Sequence, residues 1–198
     1  MAGRRPKESI QERRERRAAI DDPAVVLEAA ARFLEARSRS VAEVRRRLGR
    51  AGYRSDLVEG AIVRLGELGM LDDEAFGRAW LESRDRARPR GEIALRRELA
   101  LKGVDRGIVD ELLENRRAAA QPIDPDEGHV TPDRLAAERL IARNARALDR
   151  VGDPRQRRHR AYALLARNGF DPETCREVSS GVLKADDADP GDAAPDVD

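Results

Sequence analysis

At 198 residues the chain is long enough for one domain or two, and its one cysteine, Cys175, excludes an intrachain disulfide. Charged residues make up 39% and aromatics 3%, which suits a solvent-rich helical array better than a large globular core. The net charge is only +1, and no stretch approaches the roughly 18 consecutive apolar residues of a membrane span, so a cytoplasmic chain with no membrane partner is expected.

Residues 1–20 carry seven basic and three acidic side chains with little apolar content. No apolar run follows the positive charges, so this is not a signal peptide but a basic, flexible N-terminal tail, taken over 1–21. Asp22-Pro23 opens the first helix, a capping acid followed by proline at the first helical position. Its apolar stripe is Val26, Ala29, Ala30, Phe33 and Leu34. Ser40 with Glu43 three residues on is a capping-box signature for the second helix, which carries Val44 and Leu48 on one face and stops at Gly52. Ser55 caps the third, with Leu57, Val58, Ile62, Leu65 and Leu68 at helical spacing. These three helices make repeat 1, residues 22–71.

Repeat 2, residues 72–117, opens at Asp72-Asp73-Glu74, where acids meet the positive end of a helix dipole. Phe76, Ala79 and Trp80 follow on one face. Its second helix starts near Gly91 with Ile93, Leu95 and Leu99, and its third near Asp105 with Ile108, Val109, Leu112 and Leu113. A Pro/Gly/acidic linker, 118–132, separates it from repeat 3, residues 133–184. That repeat opens at Thr131-Pro132 with Leu135, Leu140 and Ile141 inside, and Asp153-Pro154 and Asp171-Pro172 start its remaining helices. The last stretch, 185–198, holds six aspartates and no basic residue, and reads as an acidic disordered tail.

The three triplets are in phase. Leu48, Leu99 and Leu165 each stand four residues before Gly52, Gly103 and Gly169, and each glycine is followed by an apolar residue, Tyr53, Val104 or Phe170. The glycines are 51 and 66 residues apart, and the 15-residue linker accounts for the difference. Six residues past each glycine lie Val58, Val109 and Cys175, which places the cysteine in the core. Ser179, where the other repeats carry Ile62 and Leu113, thins the core of the last helix. The fold class expected is all-α: three tandem three-helix, helix-turn-helix-like repeats forming an elongated curved array.

Only Lys7, Lys102 and Lys184 of the 39 basic residues are lysine. An arginine excess suits phosphate or carboxylate recognition, and it suits equally a GC-rich genome, which the abundant Ala, Gly, Asp and Pro also fit. The arginines cluster at one place in each repeat: eight from Arg32 to Arg54, six from Arg84 to Arg97, and five with no acid from Pro154 to Asn168. Such stripes can follow a phosphate backbone or meet an acidic protein surface. Catalytic signatures are missing. His129 and His159 have no second ligand near in sequence, Asp72-Asp73 has no base partner, and no Walker-type loop occurs. A non-enzyme without cofactor or metal is expected.

These residues reach a known family. Phe33-Leu34-Glu-Ala-Arg37-Ser-Arg39-Ser40 with Glu43 and Leu48, then Gly69-Met-Leu71-Asp72-Asp73-Glu74-Ala-Phe76, then Gly91, Arg96, Glu98-Leu99 and Lys102-Gly103-Val104 resemble the RecX family, regulators of the RecA recombinase. Ala163-Leu164-Leu165-Ala-Arg167-Asn-Gly169-Phe170 is similar to that family's weaker C-terminal repeat. The resemblance covers about residues 24–183 and implies three tandem three-helix repeats. It implies binding along the groove of the RecA–single-stranded-DNA filament, with modulation, usually inhibition, of ATPase, strand exchange and coprotease activity in recombination and the SOS response. No cofactor or catalytic residue comes with it. The linker and both charged tails lie outside the family pattern.

On that reading a monomer lies in the recombinase groove, binds bare DNA weakly, and touches phosphates or acidic recombinase surface with Arg37, Arg39, Arg45, Arg46, Arg84, Arg88, Arg90, Arg96 and Arg97. The competing reading is a helix-turn-helix-like DNA-binding transcriptional or architectural protein. It would need polar readers on the third helices, which instead carry Asp56, Glu59, Glu67, Asp110, Glu111 and Glu114.

Overall fold

A computed structural model describes residues 8–119 and 131–184 of the chain. The expected linker falls, over 120–130, outside the described residues, and the expected acidic tail lies wholly outside them. The described residues form α-helices and no strand. In chain order they are α1 (Ile10–Ala18), α2 (Pro23–Glu35), α3 (Val41–Ala51), α4 (Ser55–Glu67), α5 (Asp73–Ala87), α6 (Glu92–Lys102), α7 (Arg106–Ala118), α8 (Pro132–Asp149), α9 (Pro154–Arg167) and α10 (Pro172–Lys184).

The triplets are α2–α4, α5–α7 and α8–α10, and α1 precedes them inside the stretch expected as a flexible tail. Its cause is local. Ser9 Oγ accepts the Glu12 N–H while the Glu12 carboxylate accepts the Ser9 N–H, a reciprocal capping box. The helix also has a seat on α3. Arg17 donates to the Ala51 carbonyl at 3.3 Å and its guanidinium lies 5.6 Å from the Tyr53 ring centre.

The in-phase glycines have one structural meaning. Gly52, Gly103 and Gly169 have φ of 101°, 80° and 81°, the left-handed region an L side chain disfavours. The N–H of Tyr53, Val104 and Phe170 bonds back to the carbonyl of Leu48, Leu99 and Leu165 respectively, while each glycine N–H bonds three residues back. This is the Schellman helix stop, with leucine as the acceptor and the residue after glycine turned onto it. Gly69 closes α4 in the same way, with Met70 bonding to Leu65.

The helix starts that carry proline at the first position behave as their capping chemistry requires. Asp22, Asp153 and Thr131 side chains accept from backbone N–H groups of α2, α9 and α8. Ser40 closes its capping box with Glu43. The expected Ser55 cap is not formed: Ser55 is the first residue of α4, and the flanking Arg54 makes no side-chain cap bond.

The chain divides into two compact units, one drawn from Met1–Ala79 and Leu99–Asp110, the other from Trp80–Glu98 and Glu111–Asp198. Repeat 2 contributes residues to both. In the first unit α2 packs on α3 and α4 around Val26, Ala30, Val44, Leu48, Val58, Ile62, Leu65 and Leu71. In the second, α8, α9 and α10 enclose Ala136, Ala137, Leu165, Phe170, Val178 and the fully buried Cys175. Ser179 is buried as well, and it donates its hydroxyl to the Arg176 carbonyl in place of an aliphatic contact.

Some expected core positions lie outside. Ile93, Leu68 and Leu135 are exposed by 59%, 50% and 36%, and Ala79 is exposed. The reason on α8 is that small Ala136 and Ala137 form the buried stripe, leaving Leu135 about a quarter-turn away. On α5 the buried positions are Phe76, Gly77 and Leu81, a stripe that passes Ala79 by.

Each unit holds a contact between successive repeats, and the two contacts follow one plan. In the first unit the N–H of Val41, at the start of α3, donates to Asp73 Oδ1 at 2.8 Å; in the second the N–H of Glu92, at the start of α6, donates to Asp133 Oδ2 at 2.8 Å. Ser40 Oγ donates to the Lys102 carbonyl at 2.6 Å, and the Gly91 N–H donates to the Asn168 carbonyl at 3.1 Å. A Cβ on Gly103 would meet Ala42 Cβ, and one on Gly169 would meet Ala94 Cβ, each at 2.4 Å. The rule is simple: the Schellman corner and first-helix acid of one repeat cap the second helix of the repeat before it. Asp72 caps its own helix through the Glu74 and Ala75 N–H groups, so the acidic pair divides its work between two repeats.

Candidate nucleic-acid and partner interface

The second helix of repeat 1, α3, sets the geometry of the first arginine cluster. Its buried side is Val44 and Leu48, so Arg45, Arg46, Arg47 and Arg50 are exposed. Arg45 is clamped by Glu59 of α4 through two bonds of 2.6 and 2.7 Å. Arg46 donates to the Ala42 and Lys102 carbonyls at 3.2 and 3.3 Å. Arg37 pairs with Glu43 at 3.1 Å, and Lys102 pairs with the same carboxylate at 3.0 Å. Burial alone would raise the Glu43 carboxyl, but hydrogen bonds from Arg37 and Lys102 hold it down at about 2. Arg39 lies over Phe33, its guanidinium carbon 4.3 Å from the ring centre, with Arg47 at 5.6 Å. The Arg39 Nε is buried with no hydrogen-bond partner, so the ring face is its principal neighbour.

Phe33, Glu43, Arg46, Arg47 and Arg50 line one open pocket of about 350 Å³. Phe33 is expected from sequence only as part of an apolar stripe, and Arg47 and Arg50 are not among the nine candidate arginines. The signal was present in the spacing, since 46/50 and 47/50 are neighbours on a helix face. That an aromatic on α2 would sit beside them was not.

The cluster of repeat 2 is organised around Glu98. Its carboxylate accepts from Trp80 Nε1 at 2.9 Å and from Arg84 Nε at 2.6 Å, and lies 3.6 Å from Arg90 Nε. Arg84 also stacks over Trp80 at 4.3 Å, and Arg90 donates to Asn168 Oδ1 at 2.5 Å. Arg96 pairs with Glu92 at 3.1 Å. Arg88 and Arg97 are exposed, and their side chains make no hydrogen bond or ion pair among the described residues. Of the nine arginines picked from sequence, Arg37, Arg45, Arg84, Arg90 and Arg96 therefore each hold a carboxylate of this chain.

Arg116 of α7 is the most enclosed ion pair. It donates to Asp85 at 2.9 and 3.1 Å and to Asp133 at 2.6 Å, and its side chain is 9% exposed. Burial pushes Asp133 above its ordinary carboxylate value despite that partner, and it does the same to Asp73. Both acids are committed to capping the preceding repeat. Among the described residues no group of three or more His, Cys, Asp and Glu side chains is placed to hold a metal, and no helix is long and apolar enough to cross a membrane.

These observations define a class: tandem three-helix repeats that present arginine and aromatic faces. Two family models match within the chain, the first three-helix domain of RecX over residues 27–65 and the second over 72–113. The regulatory protein RecX of Mycolicibacterium vanbaalenii is 32% identical over 158 residues, spanning 77% of this chain and 79% of that one. That of Chlorobium phaeobacteroides is 29% identical over 79% of this chain and 92% of its own. The crystal structure of RecX from Lactobacillus salivarius superposes with a TM-score of 0.67 at 17% identity, covering 82% of this chain and 97% of that one. The chain belongs to the RecX family of regulatory proteins.

Proposed function

We propose that this protein regulates the RecA recombinase, acting as a cytoplasmic monomer on the RecA–single-stranded-DNA filament and lowering its ATPase, strand-exchange and coprotease activities in recombination and the SOS response. It does so by binding, without catalysis or cofactor. Family membership supports the reading, and the observation that carries it to particular residues is the unneutralised positive charge on the exposed side of α3. Arg46, Arg47 and Arg50 stand beside Phe33 with a single carboxylate, Glu43, which is already held by Arg37 and Lys102. Cations beside an aromatic suit a DNA strand or an acidic protein face.

Arg88 and Arg97 add exposed charge in repeat 2. Arg39 serves by packing on Phe33. Arg37, Arg45, Arg84, Arg90 and Arg96 act on the internal geometry, each bound to a carboxylate. A duplex-reading transcription factor is disfavoured by Asp56, Glu59 and Glu67 on α4 and Glu111 and Glu114 on α7, all exposed where phosphates would approach.

The test is the single-stranded-DNA-dependent ATPase of RecA from the same bacterium, titrated with this protein well below the recombinase concentration. The native chain is expected to reduce turnover by at least half. The triple variant Arg46→Gln/Arg47→Gln/Arg50→Gln should need several-fold more protein for the same effect, with helical content unchanged. An unaffected ATPase beside tight, sequence-selective duplex binding would overturn the reading.

A further inference from the structure

Repeat 3 carries a concentration of charge that the filament reading leaves unused. On α9, Arg155, Arg158, His159 and Tyr162 stand at spacings of three, four and seven residues, one face of a helix. On α10, Arg176 and Ser180 are four apart. The two faces meet along a cavity of about 570 Å³ lined by these six residues and Ser179, within the size range of ligand sites. No carboxylate lines it among the described residues. Glu173 and Glu177 of α10 line other cavities, and the Asp153 carboxylate is turned to the Arg155 N–H as a helix cap.

This separates the cavity from the arginines gathered around Glu98, Glu59 and the Asp85–Asp133 pair. Arg84 and Arg90 share Glu98, Arg45 holds Glu59, and Arg116 holds two aspartates. Around the α9–α10 cavity, Arg155, Arg158 and Arg176 have no ion pair among the described residues, and the only guanidinium bond there among those residues is Arg176 Nε to the Pro172 carbonyl at 3.0 Å. Beyond the capping Asp153, the first turn of α9 contains no acid. Like charges gathered around one concavity repel each other until an anion enters.

The rings narrow the class of anion. Tyr162 is half-buried against the repeat core, and its hydroxyl has no hydrogen-bond partner among the described residues. His159 is exposed on the same face, four residues after Arg155 and three before Tyr162. Guanidinium groups for phosphates beside aromatic faces for bases suit a flexible single strand better than an acidic protein surface, which would use the charges alone.

We infer that the groove between α9 and α10 is a phosphodiester-binding site for single-stranded DNA, with Arg155, Arg158 and Arg176 on phosphate oxygens and Tyr162 and His159 beside the bases. The inference rests on the filament reading for the identity of the polyanion and adds a DNA contact in repeat 3.

Fluorescence anisotropy of a labelled oligothymidylate with the full chain, at about 50 mM salt where counterion release favours binding, tests it. Arg158→Gln/Arg176→Gln should bind at least fivefold more weakly than the native chain. Its slope of log affinity against log salt should be shallower by about 1.4, since each single-strand phosphate contact contributes about 0.7. Arg158→Lys/Arg176→Lys should bind within twofold of native, because a point charge satisfies a phosphate. Arg106→Gln, an exposed arginine of the other unit, should have no effect. Native binding too weak to measure at this salt overturns the inference, as does a double glutamine variant within twofold of native. Unchanged oligonucleotide binding with weakened RecA inhibition also overturns it, assigning the groove to acidic protein surface. Groove-dependent DNA binding with an unaffected RecA ATPase leaves the inference standing and overturns the filament reading alone.

Discussion

Single residues decide how closely two repeats approach. At the first contact the position before the second helix is Ser40, fully buried, with its hydroxyl bonded to the Lys102 carbonyl. At the second contact the equivalent residue is Gly91, and a Cβ there would fall 2.2–2.4 Å from the Gly169 and Phe170 backbone. Copying the first contact into the second therefore fails: Gly91→Ser is expected to cost about 3 kcal/mol, the upper end for overpacking, read as a lowered midpoint of urea unfolding. An unchanged midpoint would mean that α6 and the Gly169 corner are not held together in solution. Sequence periodicity marks Gly52, Gly103 and Gly169 as equivalent, but it is silent on Gly91, because its constraint comes from a residue 78 positions away.

At the scale of an element, the start of α3 is stabilised by its own cap and by charges brought from elsewhere. Glu43 accepts Ser40, Arg37 and Lys102, and its carboxyl sits at about 2. A carboxyl lowered on folding contributes stability that is complete above its unfolded value of about 4.3 and is lost as pH falls toward the folded one. Native protein should thus lose more of its Tm between about pH 5 and pH 2 than Glu43→Gln does, so that the two curves converge on acidification. Curves that stay parallel would show that the Glu43 contribution is not ionic. The capping box was legible as Ser40-x-x-Glu43. The Lys102 partner was not, since only the fold brings the end of α6 to the start of α3.

The same logic governs the arginines of whole helices. Arg45 and Arg84 appear in sequence as members of basic stripes, yet Glu59 and Glu98, each 14 residues on, neutralise them. Arg155 and Arg158 of α9 face a cavity with no carboxylate among the described residues, because Glu173 and Glu177 of α10 line other cavities.

Within each unit, polar contacts join successive repeats. In the second unit Arg116 ties α7 to α5 through Asp85 and to α8 through Asp133, which in turn caps α6. Arg116→Ala would leave two acids enclosed without a partner, and a loss of about 3–5 kcal/mol is expected from chemical denaturation. Adding Asp133→Asn should recover part of it by removing one of the stranded charges. If the single variant is as stable as native, these acids reach water when Arg116 is gone and the joint is looser than its geometry implies.

The sequence by itself determined the all-helical class, the three in-phase triplets, nearly every helix start and the glycine stops. Acid-proline caps, capping boxes and Leu-x-x-x-Gly-apolar stops act over a few residues, so their spacing is the interaction. Tertiary structure alone decided that α1 has a seat on α3, that Asp73 and Asp133 cap the repeat before their own, and which arginines remain available to a partner. Those outcomes depend on groups tens of residues apart meeting within a few ångströms. A charge has no periodicity from which its partner can be read, so neutralisation is settled only when the helices pack.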